Sequence, residues 1–475
     1  MEQHETTIEQ LVTAARAAQE KVADYTQSQI DAVCVAIGWA MYHDKNIRML
    51  AEQAVAETGM GNVGDKITKH KNKVLGVLKD IKHARSVGII ERDEAKKITR
   101  YAKPVGVVGA LTPVTNPTAT PASNAITILK GRNAVIFAPH PKAEQSTTLA
   151  VGFMRAALRK VGAPEDLIQV VTAPSIPKTQ ALLKAVDVIL ATGGSAMVKA
   201  AYSSGTPAYG VGPGNAVQLI AEDAEIEDAA EKIMMSKRFD YATSCSSENA
   251  LVIHESVYDA MMQAMVSRGA YRVQGDERAQ LKAHMWVTHP KGHRVLNSAI
   301  IAQSAQKIAA DAGLDVPADT DVLLVEGDAD TIETDPFSEE KIAPVLTLYR
   351  CASFSEGASL LERLTNHSGT GHSCGIHTFN TSYIDDLGKR MKTSRIMVNQ
   401  PQAAGNGGAF FNGMPSTVSL GCGSWGGNIT SENIHYKHFL NITWVSEWFP
   451  PQKPSEREIF GHWLDETEDA SNETA

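Results

Sequence analysis

The stretch VGVVGALTP, residues 105–113, is a short apolar run, rich in valine, that ends in a proline. A run of this length and composition predicts a strand buried on both faces of a sheet. Similar apolar runs follow at 134–137, 168–172 and 188–191, and helix-like stretches such as 144–160 separate them. This alternation indicates βαβ units with right-handed crossovers. The sequence therefore predicts an α/β fold with a doubly wound, Rossmann-type domain.

Length and charge bound the class of protein. The chain has 475 residues, 43% of them hydrophobic, which is more than one core usually holds, so we expect two or three domains. The net charge of -9 is spread out, and the absence of a basic patch argues against binding to nucleic acid. The polar start MEQHETTIEQ is unlike a secretory signal, and no apolar run of about 18 residues occurs. We therefore expect a cytoplasmic protein without a membrane span.

The first hundred residues are expected to form helices. Thr7 and Gln10 have the spacing of a capping box, and Ser28 with Asp31 gives an approximate second one. After the second box, apolar residues recur on one helical face. This face includes Cys34, which we interpret as core filling.

The five cysteines are scattered and form no C-x-x-C pair, so we expect reduced thiols. Two histidine pairs, His435 with His438 and His372 with His377, lack a cysteine or carboxylate partner at ligand spacing. We interpret them as surface or core histidines and expect no metal.

One cysteine lies in an unusual segment, DYATSCSSEN, residues 240–249, which surrounds Cys245 with small hydroxyl side chains. A nucleophilic thiol needs partial exposure and a stabilised thiolate, and such a loop suits both needs. The alternative is a buried structural cysteine, but no periodic apolar pattern surrounds Cys245 as one surrounds Cys34. Cys245 is therefore the candidate nucleophile.

A glycine turn follows one of the expected strands: Thr192, Gly193 and Gly194 open a helix. The free N–H groups and dipole of a helix N-terminus suit a pyrophosphate. The alternative is an ordinary strand-to-helix turn, because the full G-x-G-x-x-G pattern is absent.

Seven ordered motifs between about residues 100 and 440 carry a resemblance to a known family. They are LTPVTNPT (111–118), NAVIFAPHP (133–141), ATGG (191–194), GVGPGN (210–215), the Cys245 loop, EKIAP (340–344) and LGCGSWGGN (420–428). In this order they resemble the aldehyde dehydrogenase superfamily, and most of all its CoA-acylating branch. The resemblance implies a Rossmann-type cofactor domain, an α/β catalytic domain and a small oligomerisation hairpin.

The resemblance also implies catalytic roles. Cys245 matches the nucleophile that attacks the aldehyde carbonyl and becomes a thioester once hydride has left. Asn116 resembles the amide that forms an oxyanion hole with the backbone N–H of Cys245, a task that suits a donor that does not titrate. His372 matches a histidine of the acylating branch that assists the thiol, and a core histidine is the alternative.

The cofactor positions follow in the same way. Gly193 and Gly194 match the turn beside the pyrophosphate, and Glu340 matches the glutamate that bonds the nicotinamide ribose, with a solvated carboxylate as the alternative. The usual Lys-Pro-x-Glu at the adenosine ribose is replaced by APHPK, residues 138–142. Lacking that glutamate and with Lys142 nearby, the site is compatible with NADP as well as NAD. The implied cofactor contacts also include Thr112, Pro113, Pro139, His140, Thr192 and Gly212.

One departure from the hydrolytic members concerns the base that activates water. Where those enzymes have Glu-Leu-Gly-Gly-Lys, this chain has GVGPG, residues 210–214, so that carboxylate is missing. Coenzyme A needs a base less than water does, because an ordinary thiol has a pKa near about 8.5 and water one near about 15.7. The sequence therefore favours transfer to coenzyme A. A hydrolytic enzyme and a silent nucleotide-binding relative remain as alternatives.

Thr243 and Ser244 stand immediately before the nucleophile, where ethanol-forming relatives tend to have apolar residues. Hydroxyls in a desolvated pocket need partners, which a substrate sulfonate or carboxylate would supply. We therefore expect the substrate to be a small anionic aldehyde. Sulfoacetaldehyde is the first candidate, and succinate semialdehyde or acetaldehyde is the next.

The expected organisation has four parts. Residues 1–240 form the cofactor domain, with an oligomerisation hairpin at about 90–103. Residues 241–415 form the catalytic domain, and 416–450 return to the cofactor domain and supply a strand that pairs with a neighbouring subunit's hairpin. Residues 451–475 form an acidic tail. A hairpin edge covered by a partner chain favours a homodimer or homotetramer, and a hairpin lying on its own subunit is the alternative.

Overall fold

The N-terminal region consists of helices and one hairpin. In the computed structural model, residues 6–464 of the chain are described. The first elements are α1 (Ile8–Val22), α2 (Gln27–Tyr42), α3 (Asp44–Thr58), α4 (Val63–Ile81), β1 (Gly88–Asp93) and β2 (Ile98–Pro104). Thr7 and Gln10 form the expected capping box. The second box was wrong: it joins Thr26 and Gln29, because the side chain of each accepts the backbone N–H of the other.

A five-stranded parallel sheet carries the predicted βαβ pattern. Its elements are β3 (Val107–Thr112), α5 (Ala119–Lys130), β4 (Ala134–Pro139), α6 (Glu144–Lys160), β5 (Ile168–Val170), α7 (Ile176–Ala185), β6 (Val188–Thr192), α8 (Ser195–Tyr202) and β7 (Ala208–Val211). The strand order is β5-β4-β3-β6-β7. All residues of β3 and β4 are buried, as their continuous apolar runs require. Cys34 lies in the core packed against this sheet, as expected.

A seven-stranded parallel sheet forms the second core. The elements of this region are β8 (Ala216–Ile220), α9 (Ile226–Arg238), β9 (Glu248–His254), α10 (Glu255–Val266), β10 (Ala270–Arg272), α11 (Glu277–Met285), β11 (Trp286–Thr288), β12 (Arg294–Leu296), α12 (Ala305–Asp311), β13 (Val322–Glu326), β14 (Val345–Cys351), α13 (Phe354–His367), β15 (Cys374–His377), α14 (Thr381–Arg390), β16 (Ile396–Val398) and α15 (Gln402–Gly405). The strand order in the sheet is β10-β13-β14-β9-β8-β15-β16. The fully buried strand β8 already pairs with β9 and β15. The change of sheet therefore lies between Val211 and Ala216, upstream of the expected boundary at 240.

A third sheet joins the hairpin of β1 and β2 to a strand late in the sequence. After β17 (Leu440–Ser446) comes the short helix α16 (Glu456–Phe460). The strand β17 pairs antiparallel with β2, which also pairs with β1. Because β2 belongs to the same chain, the expectation that this strand pairs with a neighbour's hairpin was wrong. Part of the expected tail, residues 465–475, lies outside the described residues.

Within residues 6–464 no helix is long and apolar enough to cross a membrane. The same residues contain no group of three or more histidine, cysteine, aspartate or glutamate side chains arranged to hold a metal ion.

Candidate active site

Four loops meet at one edge of the seven-stranded sheet. They precede the adjacent strands β14, β9, β8 and β15, and they carry Glu340, Cys245, Gly214 and His372. The amino ends of neighbouring parallel strands lie at the same edge, so the topology alone brings these residues together. The loop that carries Gly214 also follows β7, so the carboxyl end of that strand of the first sheet leads directly into this edge.

A thiol and an imidazole form the centre of this cluster. Cys245 Sγ lies 3.2 Å from His372 Nε2, and His372 Nδ1 lies 2.8 Å from the hydroxyl of Ser373. Although Cys245 keeps some solvent access, the surrounding protein desolvates it and raises its pKa to about 12, with Glu340 adding to the effect. Burial lowers the pKa of His372 to about 3. At neutral pH a protonated thiol therefore faces a neutral imidazole, which can accept its proton.

Glycines allow the loops to approach the nucleophile. A Cβ added at Gly214 would lie 2.2 Å from the carbonyl oxygen of Cys245. At Gly371 φ is +86°, and an added Cβ would lie 2.0 Å from the carbonyl oxygen of Cys422. These contacts account for part of the glycine-rich motif 420–428. Trp425, within the same motif, is 49% exposed.

We expect Gly214→Ala to displace the Cys245 loop. The clash with backbone should cost about 1–3 kcal/mol of stability, and a shift of about 1 Å at the nucleophile should lower kcat about 100-fold. Gly152→Ala in α6 is the matched control, because its added Cβ meets nothing within 4 Å. Urea unfolding and steady-state kinetics of both variants test this. Equal activity of the two variants would contradict it.

The backbone just before Cys245 adopts a strained conformation. Asp240, Tyr241 and Ala242 have φ values of 49°, 52° and 58°, in the left-handed region that non-glycine residues rarely occupy. The buried carboxylate of Asp240 holds this turn. Its Oδ2 accepts from Lys69 Nζ at 2.6 Å and from Lys66 Nζ at 3.3 Å. Burial alone would raise the pKa of Asp240, but the two ammonium groups bring it below its ordinary value.

Sequence reasoning missed this lysine and aspartate cluster. Lys66 and Lys69 lie three apart on α4, a spacing that is equally typical of a solvated helix face. Only the fold brings α4 against a turn more than 170 residues later. No local signal in the sequence indicates the contact.

The cluster also engages the residues expected at the oxyanion hole and the substrate. Asn116 Oδ1 accepts from Lys69 Nζ at 2.8 Å. The hydroxyl of Thr243 lies 2.7 Å from Lys69 Nζ and 2.8 Å from Asp240 Oδ2, and Ser244 Oγ accepts from the backbone N–H of Ser246 at 3.2 Å. Both hydroxyls thus have partners within the chain. The expectation that they need a substrate anion does not follow from this geometry.

The residues expected at the cofactor lie at the carboxyl ends of the first sheet. Thr112 pairs with Pro139 at the ends of β3 and β4, and Pro113 follows. Thr192 ends β6 and shares a hydrogen bond with Ser419 at 2.9 Å. Such an edge is where ligands of doubly wound sheets bind.

Two observations fit a dinucleotide at this edge. Gly194 is the N-cap of α8 and offers no side-chain cap, and a Cβ added there would meet nothing within 4 Å, so the helix N-terminus is open. The buried hydroxyl of Thr112 has no hydrogen-bond partner among residues 6–464. Further out, His140 Nδ1 accepts the N–H of Lys142 at 3.1 Å, and the Lys142 side chain is exposed.

Glu340 is not the solvated carboxylate of the alternative interpretation. Burial raises its pKa from the ordinary 4.5 to about 8, although the N–H of Gly214 and the ammonium of Lys237 oppose the shift. Lys237 is fully buried, and burial lowers its pKa to about 7. A mostly protonated carboxyl therefore lies beside the nucleophile at neutral pH.

This pKa predicts a pH-dependent stability. Between pH 4.5 and about 8 the unfolded chain has lost the Glu340 proton and the folded protein keeps it, so the stability contributed by this group falls as pH rises. At pH 7 we expect the free energy of unfolding of Glu340→Gln, measured with urea, to exceed that of the parent by up to about 3 kcal/mol. Near pH 4 the two proteins should have the same stability. Glu339→Gln, which removes a carboxylate paired with Arg294 at the surface, is the control. A difference that is independent of pH would contradict the assignment.

Comparison with known proteins decides the family. The model of the aldehyde dehydrogenase family matches residues 1–421. The chain belongs to the aldehyde dehydrogenase family. The predicted α/β fold and the resemblance are thereby confirmed, and the resemblance extends beyond the seven motifs to most of the chain.

Three members of this family are similar over nearly their whole length. The sulfoacetaldehyde dehydrogenase of an Acholeplasma species is 66% identical over 96% of this chain and 94% of its own. The acylating sulfoacetaldehyde dehydrogenase of Bilophila wadsworthia is 56% identical over 96% of this chain and 98% of its own. A structure of propionaldehyde dehydrogenase from Rhodopseudomonas palustris, with bound CoA and an acylated cysteine, superimposes with a TM-score of 0.83 at 27% identity, covering 93% of this chain and 97% of the other.

Proposed function

We propose that this protein is a CoA-acylating aldehyde dehydrogenase that converts a short aldehyde to its acyl-CoA, reversibly, with NAD or NADP and a thioester on Cys245. The observation that carries the proposal is the contact of 3.2 Å between Cys245 Sγ and the neutral His372. This contact supports the proposal because a group that can accept a thiol proton lies next to the reacting sulfur.

The local packing supports acylation over hydrolysis. Gly210 stands where hydrolytic members have the glutamate that activates water. Its N–H donates to the hydroxyl of Tyr202 at 2.9 Å, and a Cβ added there would lie 2.6 Å from Tyr202 and Val198. The site thus lacks that carboxylate and has no room for one.

The chain's own residues then have the following tasks. As Cys245 Sγ bonds to the aldehyde carbon, its proton passes to His372 Nε2. The carbonyl oxygen gains the negative charge and receives hydrogen bonds from Asn116 Nδ2 and the N–H of Cys245. The nicotinamide, when bound, supplies the acceptor for the hydride that leaves this carbon. His372 passes this first proton to solvent before coenzyme A reacts. Coenzyme A then attacks the Cys245 thioester, its thiol proton passes to His372 Nε2, and His372 returns that proton to the Cys245 sulfur as it leaves.

We propose a small anionic aldehyde, sulfoacetaldehyde first, as the substrate. The two relatives that are 66% and 56% identical act on this compound by name. Succinate semialdehyde and acetaldehyde are the next candidates.

We propose that the cofactor site accepts NAD or NADP. The exposed Lys142 and the absent glutamate are compatible with a 2′-phosphate, and no contact of the described residues excludes a free hydroxyl.

We also propose a cytoplasmic homodimer or homotetramer. The outer strands β1 and β17 each leave one edge of the three-stranded sheet unpaired within residues 6–464, and Trp444 on β17 is 54% exposed. An open edge beside exposed aromatic surface is typical of a contact between subunits.

The function is tested by following the reduction of NAD and of NADP with sulfoacetaldehyde, succinate semialdehyde and acetaldehyde, with coenzyme A present and omitted. We expect turnover that needs coenzyme A and yields the acyl-CoA, fastest with sulfoacetaldehyde. Free acid formed at the same rate without coenzyme A would favour the hydrolytic alternative. Absence of turnover with every combination would favour a silent relative.

A further inference from the structure

A lysine from the N-terminal helices reaches the catalytic loop. Lys69, on α4, has an almost buried side chain, 12% exposed. Its ammonium lies within hydrogen-bond distance of Asp240 Oδ2 at 2.6 Å, Thr243 Oγ1 at 2.7 Å and Asn116 Oδ1 at 2.8 Å. An ammonium has three N–H donors, so these three acceptors use all of them.

These contacts fix the orientation of the Asn116 amide. An ammonium only donates, so Asn116 must turn its Oδ1 toward Lys69. The NH₂ group then lies on the other side of the amide. Its one hydrogen bond among the described residues is a long contact of 3.5 Å with Thr115 Oγ1. The amide donors are therefore available to a substrate oxygen.

The rest of the cluster holds the turn that contacts Lys69 in place. Asp240 is fully buried and receives a second ammonium, Lys66, at 3.3 Å. The Asp240 backbone N–H donates to Asp65 Oδ2 at 2.8 Å, and Asp240 Oδ1 accepts the N–H of Asn62 at 3.0 Å. Lys69 thus joins an anchored turn before Cys245 to the amide of Asn116.

We propose that Lys69 is a positioning residue that holds Asn116 with its NH₂ toward the developing oxyanion. The inference rests on the proposed function, because it assumes that Asn116 donates to the substrate oxygen. Without Lys69 the amide can turn over and place Oδ1 beside that oxygen, where two acceptors repel each other. No other described side chain holds Asn116 Oδ1.

A double-mutant cycle of Lys69→Met and Asn116→Ala tests the proposal. Methionine has a similar length and removes the donors, while Asp240 keeps its partner Lys66. We expect Asn116→Ala to lower kcat about 10²- to 10³-fold, as does loss of one oxyanion donor, and Lys69→Met to lower kcat at least about tenfold. In the Asn116→Ala background, Lys69→Met should change kcat less than about twofold, because there is no amide left to orient.

A second measurement separates positioning from a structural role. Alkylation of Cys245 by iodoacetamide needs the thiolate but no oxyanion hole, so its rate should be the same in Lys69→Met and in the parent. A slower alkylation, or a loss of kcat by Lys69→Met that is undiminished in the Asn116→Ala background, would overturn the inference and leave the proposed function standing. If Asn116→Ala leaves kcat unchanged, the oxyanion role of Asn116 and the inference both fail.

Discussion

Replacement of Cys245 by alanine should abolish turnover and remove the covalent intermediate. The expected loss in kcat is about 10⁴- to 10⁶-fold, similar to the removal of a serine nucleophile. Mass spectrometry of enzyme quenched during turnover should find the acyl group on Cys245 in the parent and no adduct in the variant. Cys34→Ala is the control, because that thiol is buried between α2 and α5, where Sγ faces the carbonyl of Ile126 at 3.6 Å. An adduct on another cysteine would disprove the assignment.

The same thiol should show the reactivity of a desolvated group. The pKa of Cys245 is raised to about 12. At any pH below this value, the fraction of thiolate increases about tenfold when the pH rises by one unit. The alkylation rate of Cys245 by iodoacetamide should therefore rise from pH 7 to pH 10 without reaching a plateau. A plateau near neutral pH would mean that the resting enzyme already holds a thiolate.

Replacement of His372 by alanine has the second largest expected effect. Loss of a general base typically costs about 10²- to 10⁴-fold, and His372 Nε2 is the closest proton acceptor to Cys245 Sγ among the hydrogen bonds of the described residues, at 3.2 Å. We expect kcat/KM to fall by this factor while the urea midpoint moves little. The steady-state rate with sulfoacetaldehyde and coenzyme A is the measurement.

The matched control is His377→Ala, five residues further along the same segment. His377 is also buried, and burial likewise lowers its pKa, to about 4, but its position at the end of β15 is away from the thiol. Since the pKa of His372 is about 3, its protonation should not reduce the rate between pH 8 and pH 5. Equal losses in the two variants, or a fall in rate near pH 6 that disappears in His372→Ala, would argue against this role.

The sequence predicts the sheets better than it predicts the site. The apolar runs at 134–137 and 188–191 became β4 and β6 within two residues of the expected ends, because strands buried on both faces need continuous apolar side chains. The second domain begins earlier than expected because β8, although it follows directly from the first domain, pairs with β9 and with the distant strand β15. Local composition does not predict which distant strands pair with each other.

The candidate site likewise contains residues that the sequence predicts and residues that it does not. Cys245, His372 and Glu340 were found through motifs, and adjacent strands bring them to one edge. Their roles stay predictions until the variants are measured. Lys69 and Asp240 were not predicted, because the local sequence does not distinguish a solvated lysine on an amphipathic helix, or a solvated aspartate in a loop, from a buried one.

The pairing of β17 with β2 has a consequence for synthesis of the protein. Residues 440–446 complete a sheet whose middle strand is residues 98–104, and Asn133 donates to the carbonyl of Phe439 at 2.8 Å. A growing chain on the ribosome therefore carries the open edge of β2 until residues 440–446 have emerged. Unpaired edges of this kind promote aggregation. Heterologous production should thus gain from slower translation or a chaperone that binds early, and truncation before residue 440 should give insoluble material.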